Sequence, residues 1–489
     1  MKLRSLLALS TPCAVATATA VWVAVEPAHG STPGHAFVMP KIPEPPPPDH
    51  SRFQAGRTLM VEGRLGHSLL PANLDSQTFL YVDVSSSDAL ARTPAPLDLS
   101  IVIDRSGSMA GKRLTNAIAA AKTAIERLRD GDVVSVISFN TAVDVVVHPT
   151  TVDATSRGRL VKKLSTIHAG GDTCISCAID GAMQLLAQRD GMVERVMLLS
   201  DGEPTAGVRD VDGFRRIAEN CRRMGASVTT IGVDVEYDEK VMSALARSSN
   251  GHHFFVADPT GLPTIFDTEM ASLTRTVANR AELTVDLAPG VVADRVFDRT
   301  TSATSSQVVV PLGTFSAGDH KTVLMHVRVP RGSAGERPIA AVRLHYDDLA
   351  ESKPGACEGV LATRLSTVTS ELTPIDPLVS ARLTATEAAT TLEASNALFR
   401  AGHADRARAL LEAEQQKIAV ARRVAPAEPA VQQAFDKSSN AIAGDADGFA
   451  QPSASTGAAA AAPPPPPAAD RKGQRQVRKN QQDAFDLTR

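Results

Sequence analysis

The spacing of apolar positions changes along this chain, and each change predicts a different architecture. From Pro96 to about Val277, strand-like and helix-like stretches alternate, as expected of an α/β sheet covered by helices on both faces. The run Leu97 to Ile103 reads as a buried strand. In the helix after it, Leu114, Ile118, Ala121, Ile125 and Leu128 share one face, while Lys112, Arg113, Lys122, Glu126 and Arg129 lie largely elsewhere. Further strands fit 133–139, 142–147, 195–199, 227–233 and 253–256, and further helices fit 156–167, 175–188, 211–224, 239–248 and 262–276. The expected fold of residues 96–277 is a doubly wound, mostly parallel sheet.

Residues 278–368 lose helical periodicity: Leu283, Val285 and Leu287 alternate, as do Val323, Met325, Val327 and Val329, predicting a β-sandwich. Two strand-like stretches in 57–95, Thr58 to Gly63 and Gln77 to Val84, are too few to stand alone. They are expected to pair with this sandwich, the α/β domain being inserted in it or followed by it. Residues 377–424 are Ala- and Leu-rich and broken at Gly402-His403, which predicts a helical hairpin. The hairpin resembles one tetratricopeptide-type unit, and a single such unit needs a further surface to bury its face, here expected to be the sandwich. Residues 31–56 read as a Pro-rich linker and 425–489 as a disordered tail with a basic, solvated end.

Composition narrows the function classes. The 489 residues carry a formal net charge of −3, 4% aromatics and a single Trp, so neither general attraction to polyanions nor base-stacking platforms are supplied, and nucleic-acid binding is set aside. Lys2 and Arg4 before an uncharged stretch to Val25, with small residues at Ala28 to Gly30, read as a signal peptide over 1–30. The protein is therefore expected to be exported, to the periplasm, cell envelope or exterior. No other long apolar run follows, which argues against a helical pore-forming role.

The candidate chemistry begins just past the first buried strand, in Asp104-Arg105-Ser106-Gly107-Ser108-Met109. It offers a carboxylate and two hydroxyls with no interleaved His or Cys, a donor set for a hard cation. Two later loops, Gly170-Gly171-Asp172-Thr173 and Ser200-Asp201-Gly202, add oxygen donors where the strand ends of a doubly wound sheet converge. Taken singly, Ser106, Ser108 and Thr173 could cap helices and Asp201 could serve a turn. Asp172 and Glu203 are expected to be solvated.

In order and context these loops resemble the metal-ion-dependent adhesion site of von Willebrand factor type A domains, whose D-x-S-x-S, Thr and Asp positions are filled here by Asp104, Ser106, Ser108, Thr173 and Asp201. The stretches Val196 to Gly202, Thr230 to Val233 and Gly251 to Phe255 extend the resemblance to bacterial exported type A proteins with flanking β-rich segments. Inter-alpha-trypsin inhibitor heavy chains have a loosely similar arrangement. The resemblance implies Mg²⁺, with Mn²⁺ or Ca²⁺ as alternatives, held directly by Ser106, Ser108 and, when a partner is bound, Thr173. It implies that Asp104 and Asp201 act mainly through water, and that an exposed Asp or Glu of a partner protein completes the sphere.

The implied function is metal-dependent protein binding, as an adhesion or scaffold protein, without catalysis. The alternative is a redox or hydrolytic protein using Cys174 and Cys177, a C-x-x-C at a helix start, or Ser106. Against hydrolysis stand the absence of a G-x-S-x-G elbow and of a base beside the serines. The stretch from Gly107 to Lys112 is one residue short of a phosphate loop and is followed by Arg113 where such a loop needs a hydroxyl.

Overall fold

The computed structural model describes residues 49–488 except 88–94, 187–190, 300, 369, 371, 444–448 and 450–470. The signal-peptide reading of 1–30 lies outside the described residues. Four strands come first: β1 (Arg52–Gly56), β2 (Leu59–Leu65), β3 (Leu69–Pro71) and β4 (Ser76–Ser86). The α/β region runs β5 (Leu97–Asp104), α1 (Lys112–Arg127), β6 (Val133–Phe139), β7 (Val143–Thr151), α2 (Ser156–Lys163), α3 (Ile175–Leu185), β8 (Val193–Ser200), α4 (Val211–Arg223), β9 (Ser227–Val233), α5 (Glu239–Ser248), β10 (His253–Val256) and α6 (Leu262–Leu273).

These strands form one sheet in the order β10-β9-β8-β5-β6-β7, parallel except for the edge strand β7. Every residue of β5, β6, β8 and β9 is buried, because helices cover both faces. Leu99, Ile101 and Ile103 pack with residues of α1 and α6, whereas Val102 packs with α3, α4 and α5. The strand order reverses between β5 and β8, so their carboxyl ends open onto one crevice.

After α6 the chain returns to β structure: β11 (Thr276–Leu287), β12 (Val292–Phe297), β13 (Ser302–Ala303), β14 (Gln307–Ser316), β15 (His320–Val329), β16 (Gly335–Asp348) and β17 (Lys353–Ser366). Two sheets result, β1-β2-β4-β15-β12 and β13-β14-β11-β16-β17-β3, enclosing a common core that includes Leu80, Val82, Leu283, Val285, Val327 and Leu344. The N-terminal β4 pairs with β15 along its length, from Ser85 beside His320 to Ser76 beside Val329. The α/β domain is thus an insertion between sandwich strands. One boundary moves: residues 52–56, expected in the linker, form β1, and Phe53 lies over Gly63 and Gly359, whose missing side chains make room for its ring.

The C-terminal region departs furthest from expectation. The hairpin of α7 (Pro377–Arg400) and α8 (Ala404–Val424) is present, but the expected disordered tail contains α9 (Pro429–Ala443) and α10 (Arg471–Thr488). The physical reason is burial. Val431, Phe435, Val477, Ala484 and Leu487 join Leu392 and Leu411 in one core, covering the face that a lone hairpin would expose. Val379 of α7 also packs on Tyr81 and Leu324 of the sandwich. The basic end is anchored as well as solvated: Arg478, 8% exposed, reaches Glu239 at 2.5 Å, donates to the Val235 carbonyl at 2.8 Å and lies over the Tyr237 ring. At the other end of α10, Arg382 donates to the carbonyls of Leu487 and Thr488, groups that a helix terminus leaves without partners. Among the described residues no helix is long and apolar enough to cross a membrane.

His253 on β10 sits beneath α10, 1% exposed, with Nδ1 at 2.9 Å from Thr230 Oγ1 and its ring edge-on to Phe485. Burial, reinforced by nearby Arg247 and Arg478, pulls its pKa from 6.5 down to about 3. The unfolded chain therefore binds this proton while the folded chain does not. Stability is present above pH 6.5 and declines as pH falls from there toward 3. Denaturant unfolding should show a loss on the order of 2 kcal/mol from this group between about pH 6.5 and 4.5. His253→Gln should lose correspondingly less over the same interval, and an identical pH dependence in the variant would count against this assignment.

Candidate metal centre at the strand ends

Asp104 closes β5, and its side chain is 0% exposed. One carboxylate oxygen accepts from the Ser106 backbone N–H at 2.8 Å, the other from Ser200 Oγ at 2.5 Å. Burial pushes its pKa up to about 6, offset in part by those hydrogen bonds and helped by repulsion from Asp201. Among the described residues, no cationic side chain pairs with Asp104.

Ser106 and Ser108 straddle a single 3₁₀ turn, Gly107–Met109, ahead of α1. Neither caps the helix: its N-cap is Gly111, with no side-chain cap bond. Their hydroxyls instead lie 3.0 Å apart, and Ser108 Oγ donates to Asp201 Oδ1 at 2.7 Å. Thr173 is 4% exposed and does not cap α3 either, the N-cap being Cys174. Its backbone is held to the loop after β8 by bonds with Thr205 and Ala206. A Cβ placed on Gly202 would lie 3.4 Å from Thr173 Oγ1 and 3.7 Å from Ser108 Oγ, so this glycine leaves open the space between the two hydroxyls. All five expected residues therefore meet at one crevice. Asp172 and Glu203 are exposed.

Arg113, read from the sequence only as a polar-face residue, proves central. Its guanidinium donates to Asp201 Oδ2 at 2.7 Å, to Glu236 at 2.9 Å and to Asp234 at 2.6 Å. Burial works against its charge, but these carboxylates outweigh burial and raise its pKa. Asp234 sits directly after β9 in a left-handed conformation, φ 60°, and also faces Arg471 of α10 at 3.6 Å. Position directly after a predicted strand was the available signal for Asp234. Nothing local to Arg113 announced its three partners.

Cys174 and Cys177 form a disulfide across the first turn of α3, and Cys174 is 1% exposed. Its sulfur lies against Gly207, φ 71°, where a Cβ would come within 2.7 Å. The bridge thus sits between the Thr173 loop and the loop that follows Asp201.

The donor set fits a hard cation. Two buried carboxylates and three hydroxyls converge, and Gly202 keeps room between the hydroxyls. Among the described residues there is no cluster of three or more His, Cys, Asp or Glu able to hold a metal, so any ion here depends on the Ser and Thr oxygens.

A doubly wound sheet with an oxygen-rich crevice at its switch point defines an α/β domain built to present a site on its strand ends. Residues 98–268 match the family model of the von Willebrand factor type A domain. It is 25% identical over 269 residues to an uncharacterized protein of Synechocystis sp., covering 53% of this chain and 63% of that one. It is 26% identical over 209 residues to mouse inter-alpha-trypsin inhibitor heavy chain H2, covering 40% of this chain and 20% of that protein. The chain thus spans less than two thirds of these curated relatives. Among solved structures, a von Willebrand factor type A protein from Catenulispora acidiphila superposes with a TM-score of 0.62 at 19% identity, covering 78% of this chain and 93% of that one. This likeness extends the shared fold well beyond the type A domain.

Arg113→Gln should leave Asp201, which is 0% exposed, without its cationic partner. Because Arg113 itself keeps some solvent contact, a loss of about 2 kcal/mol is expected in metal-free buffer, measured by denaturant unfolding. A variant as stable as wild type would show that the hydroxyls alone satisfy the carboxylate.

Proposed function

We propose that this chain is a metal-dependent protein-binding protein, of adhesion or scaffold type, that captures an acidic side chain of a partner. Type A domains commonly mediate protein interactions, and that general role rests on the family match. The observation that carries the finer reading is Asp104, a fully buried carboxylate with no cationic partner among the described residues, held by the N–H of Ser106, whose hydroxyl leads on through Ser108 to Asp201. In this reading Asp104, Ser106, Ser108, Thr173 and Asp201 hold Mg²⁺, with Mn²⁺ or Ca²⁺ as alternatives. The bound ion would supply Lewis acidity toward a partner carboxylate.

The chain's own residues prepare that event. Ser200 and the Ser106 N–H orient Asp104, and Arg113 orients Asp201 while neutralising part of its charge. Neutral hydroxyls contribute oxygen without adding negative charge, which leaves a cation able to attract an anionic ligand. Binding is favoured over hydrolysis because the serine hydroxyls bond to each other and to Asp201 rather than to an imidazole base. The near-complete burial of Cys174 favours a structural disulfide over a redox centre. The expected place of action is outside the cytoplasm, a proposal that rests on the N-terminal sequence alone.

Two measurements test this. In titration calorimetry, Asp104→Ala should abolish Mg²⁺ binding, and Gly202→Ala, which introduces a methyl group between the Thr173 and Ser108 hydroxyls, should weaken it about tenfold, or about 1.4 kcal/mol. Undiminished affinity in folded Asp104→Ala would remove the metal assignment.

Partner capture is read separately, by pull-down from envelope extract in Mg²⁺ with elution by EDTA. Thr173→Ala should lower recovery of the captured protein more than it lowers ion affinity, because Thr173 is expected to ligate chiefly in the partner-bound arrangement, and a ligand shifts an equilibrium only by its differential affinity. Equal recovery at saturating Mg²⁺ would place the partner elsewhere on the molecule.

A further inference from the structure

A cavity of about 660 Å³ lies where the type A domain meets the sandwich, lined by residues of α4, the turn after α5, β11 and β14. Its volume falls within the roughly 300–1,000 Å³ usual for small-molecule sites, which favour such domain junctions. It is built from β8 and from the connection between α4 and β9, so it belongs to the opposite end of the strands from Asp104 and Asp201.

Its wall carries the Glu194 carboxylate, 5% exposed, on the β8 side and a group of N–H donors on the other sides. Arg222 Nε and Asn250 Nδ2 are buried donors with no hydrogen-bond partner. Arg222 forms no ion pair among the described residues, and burial lowers its pKa. Asn279 is oriented by its own neighbours: its Oδ1 accepts from the Arg280 N–H at 2.8 Å and from Thr314 Oγ1 at 3.0 Å, which leaves its amide nitrogen as the group with capacity to spare. The lining hydroxyls are already committed. Ser227 Oγ accepts from Arg195, and Ser249 Oγ donates to the Leu245 carbonyl at 2.7 Å while accepting from the Val228 N–H at 3.1 Å.

Local backbone geometry turns these groups toward the junction. The β11 ladder shifts register between Ala278 and Glu282, and such bulges re-aim side chains. Asn250 at φ 61° and Arg280 at φ 49° both adopt the left-handed region, uncommon for residues other than glycine. Asn250 approaches β14 closely at Gly313, where a Cβ would come within 2.9 Å of it. Of the charged groups on the lining, Glu194 is buried and Arg222 half-buried, whereas Arg223, Arg280 and Glu282 are exposed and Arg280 already faces Asp347 at 3.7 Å.

We propose that this junction cavity is a binding site for a small oxyanion-bearing ligand, whose carboxylate or phosphate group takes the unused donors of Arg222, Asn250 and Asn279. Anionic oxygen is the chemistry that satisfies buried N–H groups lacking acceptors, and a guanidinium matches carboxylate and phosphate alike through its planar fork. Such a ligand would bridge the inserted domain and the sandwich, stabilising their relative placement.

The test is titration calorimetry of the full chain with inorganic phosphate and, separately, with citrate, at ionic strength matched by sodium chloride. Saturable binding of at least one probe is expected, and the probe that binds identifies phosphate or carboxylate as the preferred head group. Arg222→Gln should weaken that binding at least tenfold. Asn250→Asp keeps a residue that tolerates the left-handed backbone but replaces an amide donor with a negative charge, and it should abolish binding. Circular dichroism establishes that each variant is folded, and either folded variant suffices to decide. Neither probe binding beyond the chloride control, or a folded variant binding as wild type does, would overturn the proposal.

Discussion

Two carboxylates with no solvent exposure, Asp104 and Asp201, stand on neighbouring strand ends, and much of the surrounding architecture answers their charge. Burial raises the cost of ionising both, and the Asp201 charge adds to that cost at Asp104. The response is distributed. Asp104 receives a backbone N–H and a Ser200 hydroxyl, and Asp201 receives Ser108 and Arg113. Arg113 then extends the network to Asp234 and Glu236, tying the first turn of α1 to the loop after β9. Parallel pairing makes this possible: Ile103 lies beside Leu199, so the residues that follow them emerge on the same edge of the sheet.

The same loop after β9 is where the C-terminal helices engage the inserted domain. Arg478 bonds to the Val235 carbonyl and to Glu239, Arg400 reaches Glu239 from α7, and Arg471 faces Asp234. A segment more than 200 residues away in sequence thus borders the crevice that holds the candidate metal ligands. The insertion imposes a second long-range constraint, since β4 and β15 must pair across the whole type A domain. Loop-closure entropy opposes such contacts until the inserted domain has folded and shortened the effective loop, which favours early folding of the α/β unit.

Legibility from sequence followed the range of the interactions. The α/β order was readable because β5, β6, β8 and β9 are nearly continuous apolar runs and α1 carries a one-sided apolar stripe. The five oxygen donors were readable because each lies in a short motif directly after a strand or before a helix, where local chain geometry restricts its position. Arg113 was not, because its role depends on three carboxylates from two other loops. The junction cavity was equally invisible, since its lining comes from segments that meet only when the sandwich closes on the inserted domain.

The helix α10 shows the division most clearly. Its sequence, RKGQRQVRKNQQDAFDLT, has low apolar content and alone supports no stable helix, so local pattern reads it as a solvated tail. The folded protein supplies what the segment lacks: a slot for Phe485 beside His253, carbonyl caps from Arg382, and Asn396 at 2.9 Å from Asn480. Sequence by itself determined the elements whose hydrophobic period is local and the oxygen-bearing side chains that sit at fixed offsets from strand ends. Tertiary structure alone decided which polar side chains would be buried together, because a buried hydrogen bond or ion pair is stable only once distant segments have excluded water from it.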